Sequence, residues 1–223
     1  MYLPPLTPET LHYSSWETRR NLLRGRISEI GADVVCFQEV APESFESDFQ
    51  FMSDLGYDGK EMFKRGRFRP ATFWKTSRVE IVETPVHKDR TLLTSFNLVT
   101  DNLEDKRSWH VLNCHLQAGK QGSRRVRQIV EGISAAVKQA KRIKEADPTN
   151  PLLIVCGDFN GMVLNLVYTF YWSFVLVICS SSSAPVCHLF DIFLITFTSS
   201  TNMLVLHDGM VISYTRRTYD RQF

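Results

Sequence analysis

Three short apolar runs constrain this chain more than any other feature. Asp33-Val34-Val35-Cys36-Phe37-Gln38-Glu39, the segment HVLNC before His115, and Leu152 to Cys156 before Gly157-Asp158-Phe159-Asn160-Gly161 are each rich in β-branched, aromatic and aliphatic residues. Runs of this length, apolar almost throughout, are what strands buried on both faces require. Helical patterns precede the first and third runs, so the chain reads as α/β, with sheets covered by helices.

The intervening segments sort by period. Ser15, with Thr18 three residues later, is a cap candidate, and Trp16, Leu22, Leu23, Ile27 and Ile30 recur at helical spacing up to Gly31, which predicts a helix over about 15 to 30. Pro42 opens a second predicted helix, with Phe45, Phe49, Met52 and Leu55 on one face and Gly56 as its stop. Extended pieces are expected at about 71 to 75, 79 to 86, 92 to 100 and 108 to 115. From Gly122 to Ala146 the pattern is helical again, with Val126, Ile129, Val130, Ile133, Val137 and Ala140 on the apolar side, until Asp147-Pro148 ends it. Phe73 and Trp74 lie inside a predicted strand and read as core.

Composition divides the chain near residue 161. Residues 1 to 161 hold 23 of the 26 Lys and Arg and 21 of the 24 Asp and Glu, and between Met162 and Leu206 the sole charged residue is Asp191. The expected organisation is therefore a globular part over 1–161 and an apolar, low-charge tail over 162–223, expected to be helical. The stretch from Met162 to Cys179 has 18 residues interrupted only by Asn165, Thr169 and Ser173, close to the length that crosses a bilayer. A membrane span there stays open at this point. The start, MYLPPLTPET, has no charged segment followed by an apolar one, so no secretory signal is expected. The net charge of +2 decides nothing about nucleic acid. The five cysteines, odd in number and without CxxC spacing, read as packing thiols in a reducing compartment, cytoplasmic or nuclear.

Chemistry collects where the three runs end. Glu39, His115, and Asp158 with Asn160 stand where a sheet interior meets loops, the place at which a rigid sheet positions side chains and loops leave room for a ligand. Carboxylate and amide oxygens beside an imidazole suggest a hard-cation site next to a phosphate clamp. Each group alone has a plainer reading: Glu39 as an exposed strand-end acid, Asp158 and Asn160 as an Asx turn, His115 as a half-buried structural residue. Lys120, Arg124, Arg125 and Arg127 open the long helix and can face a polyanion or simply water.

The motifs DVVCFQEV, NCHLQAG and LLIVCGDFNG, in this order, resemble three motifs of the endonuclease/exonuclease/phosphatase superfamily, whose members include deoxyribonuclease I-like nucleases, abasic-site endonucleases, inositol-phosphate phosphatases and carbon-catabolite-repressor-type deadenylases. WETRRNLLRGRISEIGAD and RPATFWKTSRVEIVE look most like the deadenylase-type branch and its plant relatives. The resemblance covers about 15 to 161. It implies two stacked mixed sheets flanked by helices, a four-layer αββα sandwich of which this chain holds part. It implies Mg²⁺-dependent hydrolysis of a phosphodiester or phosphomonoester, with Mn²⁺ as an alternative ion. Residue by residue, it makes Glu39 the metal ligand, Asp158 the group that orients or deprotonates the attacking water, Asn160 a hydrogen-bond donor to the scissile phosphate and His115 a second phosphate contact. The implied partner is nucleic acid, RNA before DNA, or another phosphate ester. If the four groups share one site, Glu39 and Asp158 must lie within about 15 Å.

The departures carry expectations of their own. The family has an Asn on a preceding strand and, beyond GDFNG, a second half ending in an acid and an Asp-His pair, and no counterparts are matched here. His207-Asp208 has the right residue types in reverse order and reads as coincidence. The tail resembles translated non-coding sequence, such as a retained intron. One sheet is then expected to lose its packing partner, and activity to be impaired or absent. The contrasting reading is a non-catalytic isoform, inserted in a membrane through 162–179 or retaining only a phosphate cleft.

Overall fold

The computed structural model describes residues 15–62, 69–99, 108–144 and 152–160 in full and the backbone of strands at 173–178, 192–195, 202–207 and 210–215. The first helix, α1 (Trp16–Ile30), is set by its ends. The Ser15 side chain accepts the Thr18 N–H at 3.2 Å, and Gly31 closes the helix at φ 67°, donating its N–H to the Ile27 carbonyl. This is the residue pair the sequence offered for those roles.

β1 (Val34–Val40) follows, buried at every position except Glu39. The helix expected from Pro42 is instead two short helices, α2 (Phe45–Asp48) and α3 (Phe51–Asp54). Phe45, Phe49, Phe51 and Met52 are all buried, and no single helical face presents all four. Breaking the helix lets each ring reach the core: Phe49 and Phe45 pack tilted on Phe73 at 5.5 Å, and Phe37 meets Phe49 edge-on at 4.7 Å. The remaining elements in the front part are β2 (Gly59–Met62), β3 (Arg69–Trp74), β4 (Val79–Ile81), β5 (Val86–Lys88), β6 (Thr91–Leu98), β7 (Trp109–His115), α4 (Gly122–Arg142) and β8 (Leu152–Asp158).

The tail corrects the sequence expectation of helix. Its described residues are four strands, β9 (Ser173–Ile178), β10 (Ile192–Ile195), β11 (Asn202–His207) and β12 (Met210–Thr215). β9 runs antiparallel to β8, and β10 runs parallel to β1. Among the described residues no helix is long and apolar enough to cross a membrane. Residues 162–172, Cys179, Cys187 and Asp208 lie outside the described residues.

Two sheets result, in the orders β12-β11-β10-β1-β3-β2 and β4-β6-β7-β8-β9, with β5 paired to β6. Strand alternation builds four layers. Val34, Cys36 and Trp74 of the first sheet meet Phe96, Trp109, Val111, Ile154 and Cys156 of the second in one buried cluster. The opposite face of the first sheet, Val35, Phe37 and Phe73, packs on Leu23 and Ile27 of α1. On the outer face of the second, Leu93, Leu112, Leu153 and Val155 pack on Ala135 and Ala136 of α4. The front part therefore contains strands of both sheets stacked on each other, contrary to the expectation that one sheet loses its partner.

The inward face of α4 matches the sequence reading in part: Ile129 and Ile133 pack on the sheet and Ala140 is buried, but two of the expected valines are not. Val126 and Val130 are 63% and 54% exposed, while Gly132, Ala135, Ala136, Gln139 and Ala140 are buried. At Gly132 the helix lies so close to the sheet that no larger residue fits: a Cβ there would stand 2.7 Å from Leu112 Cδ2. Gly132→Ala is expected to destabilise the chain by about 1–3 kcal/mol despite alanine's better helix propensity, since Leu112 must leave its rotamer. A urea unfolding curve with an unshifted midpoint would contradict that packing.

Candidate active site

The polar ends of β1, β7 and β8 meet at one edge of the sandwich. In β7 the residues facing the other sheet are Trp109, Val111, Asn113 and His115, and in β8 they are Ile154, Cys156 and Asp158, so His115 and Asp158 emerge side by side in register. By the same alternation Glu39 belongs with Val35 and Phe37 on the helix-facing side. It is turned by an irregularity in β1: the pairing with β3 shifts between Phe37 and Val40, and Glu39 adopts φ 58°. A bulge of this kind re-aims a side chain. Glu39 Oε1 lies 3.8 Å and Asp158 Oδ2 4.0 Å from the same atom, His115 Nε2. The two carboxylate oxygens are therefore no farther apart than these two distances laid end to end, well inside the 15 Å limit. The gaps are too wide for direct hydrogen bonds and of the size that a cation or a phosphoryl oxygen bridges.

His115 and Asp158 are buried, 6% exposed each, whereas the Glu39 side chain is 41% exposed. Burial raises the Glu39 pKa above the ordinary carboxylate value, the Asp158 charge adds to the rise, and His115 opposes it. Asp158 Oδ1 accepts the Asn160 N–H at 2.8 Å, and the Asn160 side chain, on a residue at φ 45°, donates to the Leu116 carbonyl at 2.9 Å. The Asx turn is thus present, and it leaves Asp158 Oδ2 facing His115. Below this edge the two sheets are tied together by Gln38 Nε2 donating to Asn113 Oδ1 at 2.8 Å, while Asn113 Nδ2 donates to the Ala71 and Phe37 carbonyls at 2.9 and 3.2 Å. That buried bridge fixes β1 against β7 directly behind Glu39 and His115. Among the described residues Gln38 Oε1 has no hydrogen-bond partner.

Of the basic residues at the start of α4, Arg124 is held by Asp89 at 3.1 Å, Arg125 donates to the Gln117 and Gly119 carbonyls, and Arg127 stands 3.9 Å from Glu131. Lys120 is exposed. Sequence reasoning passed over Arg69 and Arg90, which the fold brings to the same edge. Arg69 pairs with Val40, next to Glu39, and the Arg90 carbonyl accepts the His115 N–H at 2.9 Å. Among the described residues the thiols contribute no nucleophile: Cys36, Cys114 and Cys156 are fully buried, the Cys114 pKa is raised by burial and the Cys156 pKa by a hydrogen bond with Cys36 and by burial. Phe73 and Trp74 are core, as their strand position required.

A four-layer αββα sandwich with carboxylates, an imidazole and an amide at one sheet edge defines a deoxyribonuclease I-like architecture. Residues 11–176 match the Endonuclease/Exonuclease/phosphatase family, and the chain belongs to that family. It is similar to the CCR4-Not complex 3′-5′-exoribonuclease subunit Ccr4 of Schizosaccharomyces pombe, 24% identical over an alignment of 209 positions that covers 70% of this chain and 30% of that protein. The fold is similar to that of ANGEL2, a 2′,3′-cyclic phosphatase, with a TM-score of 0.55 and 21% identity over 66% of this chain and 45% of ANGEL2. The human Nocturnin catalytic domain matches with a TM-score of 0.53 and 21% identity, over 70% of this chain and 61% of that domain. The chain thus spans about a third of the Ccr4 relative and under half of ANGEL2.

Proposed function

We propose that the edge formed by Glu39, His115, Asp158 and Asn160 hydrolyses phosphate esters with the help of a divalent cation, and that its substrate is RNA. The observation that carries this reading is the placing of two carboxylates from different sheets within 4.0 Å of one imidazole nitrogen. The Asp158 charge adds to the rise in the Glu39 pKa that burial starts, a repulsion that a bound cation relieves, and the two carboxylates offer it oxygen donors. The site therefore suits a hard ion such as Mg²⁺, with Mn²⁺ as a substitute, and Glu39, half exposed at the mouth, is the residue that holds it. Bound there, the ion supplies neutralisation of charge on the phosphoryl oxygens.

Asp158 takes the proton of a water poised for in-line attack. Its Oδ1 is occupied by the Asn160 N–H, so Oδ2 is the atom that does so. His115 Nε2 donates to a phosphoryl oxygen as negative charge grows there, and the second N–H of the Asn160 amide fixes the phosphate. RNA as substrate rests on the likeness to the Ccr4 exoribonuclease subunit, and it would place the protein in the cytoplasm or nucleus. Turnover by this chain alone is slow in this reading, because one half-exposed carboxylate beside Asp158 holds an ion loosely.

Mn²⁺ titration followed by electron paramagnetic resonance tests the ligand assignment. Glu39→Gln is expected to weaken binding at least about tenfold, the loss of one charged oxygen donor. Equal affinity in both proteins would remove Glu39 from the cation site.

A further inference from the structure

Gln128 is a polar residue on the inward face of α4, 1% exposed, where the turns that follow present Gly132, Ala135 and Ala136. Burying an amide there is unfavourable unless both of its ends are bonded. Its Oε1 accepts the Gln117 N–H at 3.0 Å, and its Nε2 donates to Asp89 Oδ2 at 2.8 Å. The two partners come from segments distant in sequence, and both segments lead to His115. Asp89 precedes Arg90, whose carbonyl accepts the His115 N–H at 2.9 Å, and Gln117 follows His115 after Leu116.

Successive N–H groups at the end of β7 are fixed in this way. His115 donates to the Arg90 carbonyl, Leu116 to the Asp158 carbonyl at 2.8 Å, and Gln117 to Gln128. The first two acceptors are main-chain atoms, whereas the last is a side chain of the long helix. The Gln117 carbonyl accepts from Arg125 Nη1 at 3.1 Å, so α4 holds both main-chain groups of that residue. Leu116 stands between the anchored residues, and its carbonyl accepts the Asn160 side-chain amide at 2.9 Å. The segment from His115 to Gln117 therefore carries the imidazole and orients the Asn160 amide as well. On the other side of the clamp Asp89 also accepts from Arg124 at 3.1 Å. Burial works against the Asp89 charge, but the hydrogen bonds from Gln128 and Arg124 outweigh it and hold its pKa down, so it remains a charged acceptor.

We propose that Gln128 is a positioning residue: it ties the β5–β6 turn to the segment leaving β7, so that the His115 imidazole and the Asn160 amide are held where a phosphate meets them. This rests on the reading of the Glu39–His115–Asp158 edge as a phosphate-ester site, and it adds a residue that acts through others rather than on the substrate. A displacement of catalytic groups by about 1 Å lowers a rate by up to roughly a hundredfold. Glu39 belongs to β1 in the other sheet and lies outside the clamp, so cation binding does not depend on Gln128.

The test compares the full chain with Gln128→Leu in steady-state hydrolysis of oligo(A) in Mg²⁺. The kcat is expected to fall roughly tenfold to a hundredfold, with KM and Mn²⁺ affinity within about threefold of the parent. Combining Gln128→Glu with Asp89→Asn exchanges the two functional groups, keeping one amide-to-carboxylate hydrogen bond between the positions and one carboxylate beside Arg124. That double variant should turn over at least about threefold faster than Gln128→Leu. An unchanged kcat in Gln128→Leu, a parallel loss of Mn²⁺ affinity, or a double variant no faster than Gln128→Leu overturns the proposal. Amide hydrogen exchange followed by NMR reads the clamp without hydrolysis. In Gln128→Leu the His115 and Leu116 amides should exchange at least about tenfold faster, while Val35 and Cys36 of β1 keep the parent's rates. Unchanged exchange at His115, or equal acceleration in both strands, overturns the proposal. A parent chain without hydrolysis sinks the phosphate-ester reading, and the exchange comparison then decides the clamp by itself.

Discussion

Gly157→Ala is expected to abolish folding of the sandwich. Gly157 pairs with Cys114 in the parallel β7–β8 ladder at φ 127°, a conformation that side chains rarely adopt. A Cβ built there would stand 2.0 Å from the Cys114 carbonyl oxygen and 2.8 Å from the Cys114 carbonyl carbon and nitrogen. These are main-chain atoms in the centre of a sheet, so no rotamer change relieves the contact; β7 and β8 must separate. Separation would break the pairings of Asn113 with Cys156 and of His115 with Asp158 and open the cluster of Val111, Ile154 and Cys156 beneath them. A loss above about 4 kcal/mol is expected, a large share of the roughly 5–15 kcal/mol that holds a domain folded. Circular dichroism should show no cooperative melt. A variant melting within about 5 °C of the parent would show that the strands are not packed as described.

Asp158→Asn should leave the fold intact and remove the chemistry. The asparagine keeps an oxygen that accepts the Asn160 N–H, so the turn closing β8 survives. What it loses is the basic oxygen facing His115. Positioned general bases contribute roughly 10²–10⁴ in rate, and a drop of that size is expected in Mg²⁺-dependent hydrolysis of oligo(A) and of a generic phosphodiester. A decrease of less than about tenfold would mean that water is activated elsewhere.

The parts of this fold visible in the sequence are those in which local chemistry and tertiary packing agree. Ser15 and Gly31 cap α1 because side-chain oxygen and left-handed glycine do so in any helix. The three apolar runs became β1, β7 and β8 because buried strands need continuous apolar residues. The misses have equally physical causes. β2, Gly59-Lys60-Glu61-Met62, carries neither β-branched nor aromatic residues, and its pairing with β3 holds it in place. In α4 Val126 and Val130 face outward, and the helix approaches the sheet at Gly132, Ala135 and Ala136, a distance set by the sheet and invisible to a hydropathy pattern. The tail's apolar residues suited a helix or a strand equally, and β8 and β1 supply the edges on which two of its segments pair.

The site divides in the same way. Glu39, His115, Asp158 and Asn160 were legible because each ends a recognisable strand. The bulge that swings Glu39 across to His115 leaves no mark in QEV, and without it strand alternation would put that carboxylate on the far side of its sheet. Arg69 and Arg90 are 21 positions apart in ordinary charged segments, and only the pairing of Arg69 with Val40 and of the Arg90 carbonyl with the His115 N–H brings both to that edge.

Single-turnover hydrolysis of oligo(A) in saturating Mg²⁺, measured for the chain, Glu39→Gln, Asp158→Asn and the double variant, tests most directly whether the two carboxylates act as one unit. If Glu39 and Asp158 serve the same phosphate, each single substitution lowers the rate by at least about a hundredfold, and the double variant is scarcely slower than the worse single one. Four equal rates, or two losses that simply multiply, would contradict a shared site around His115.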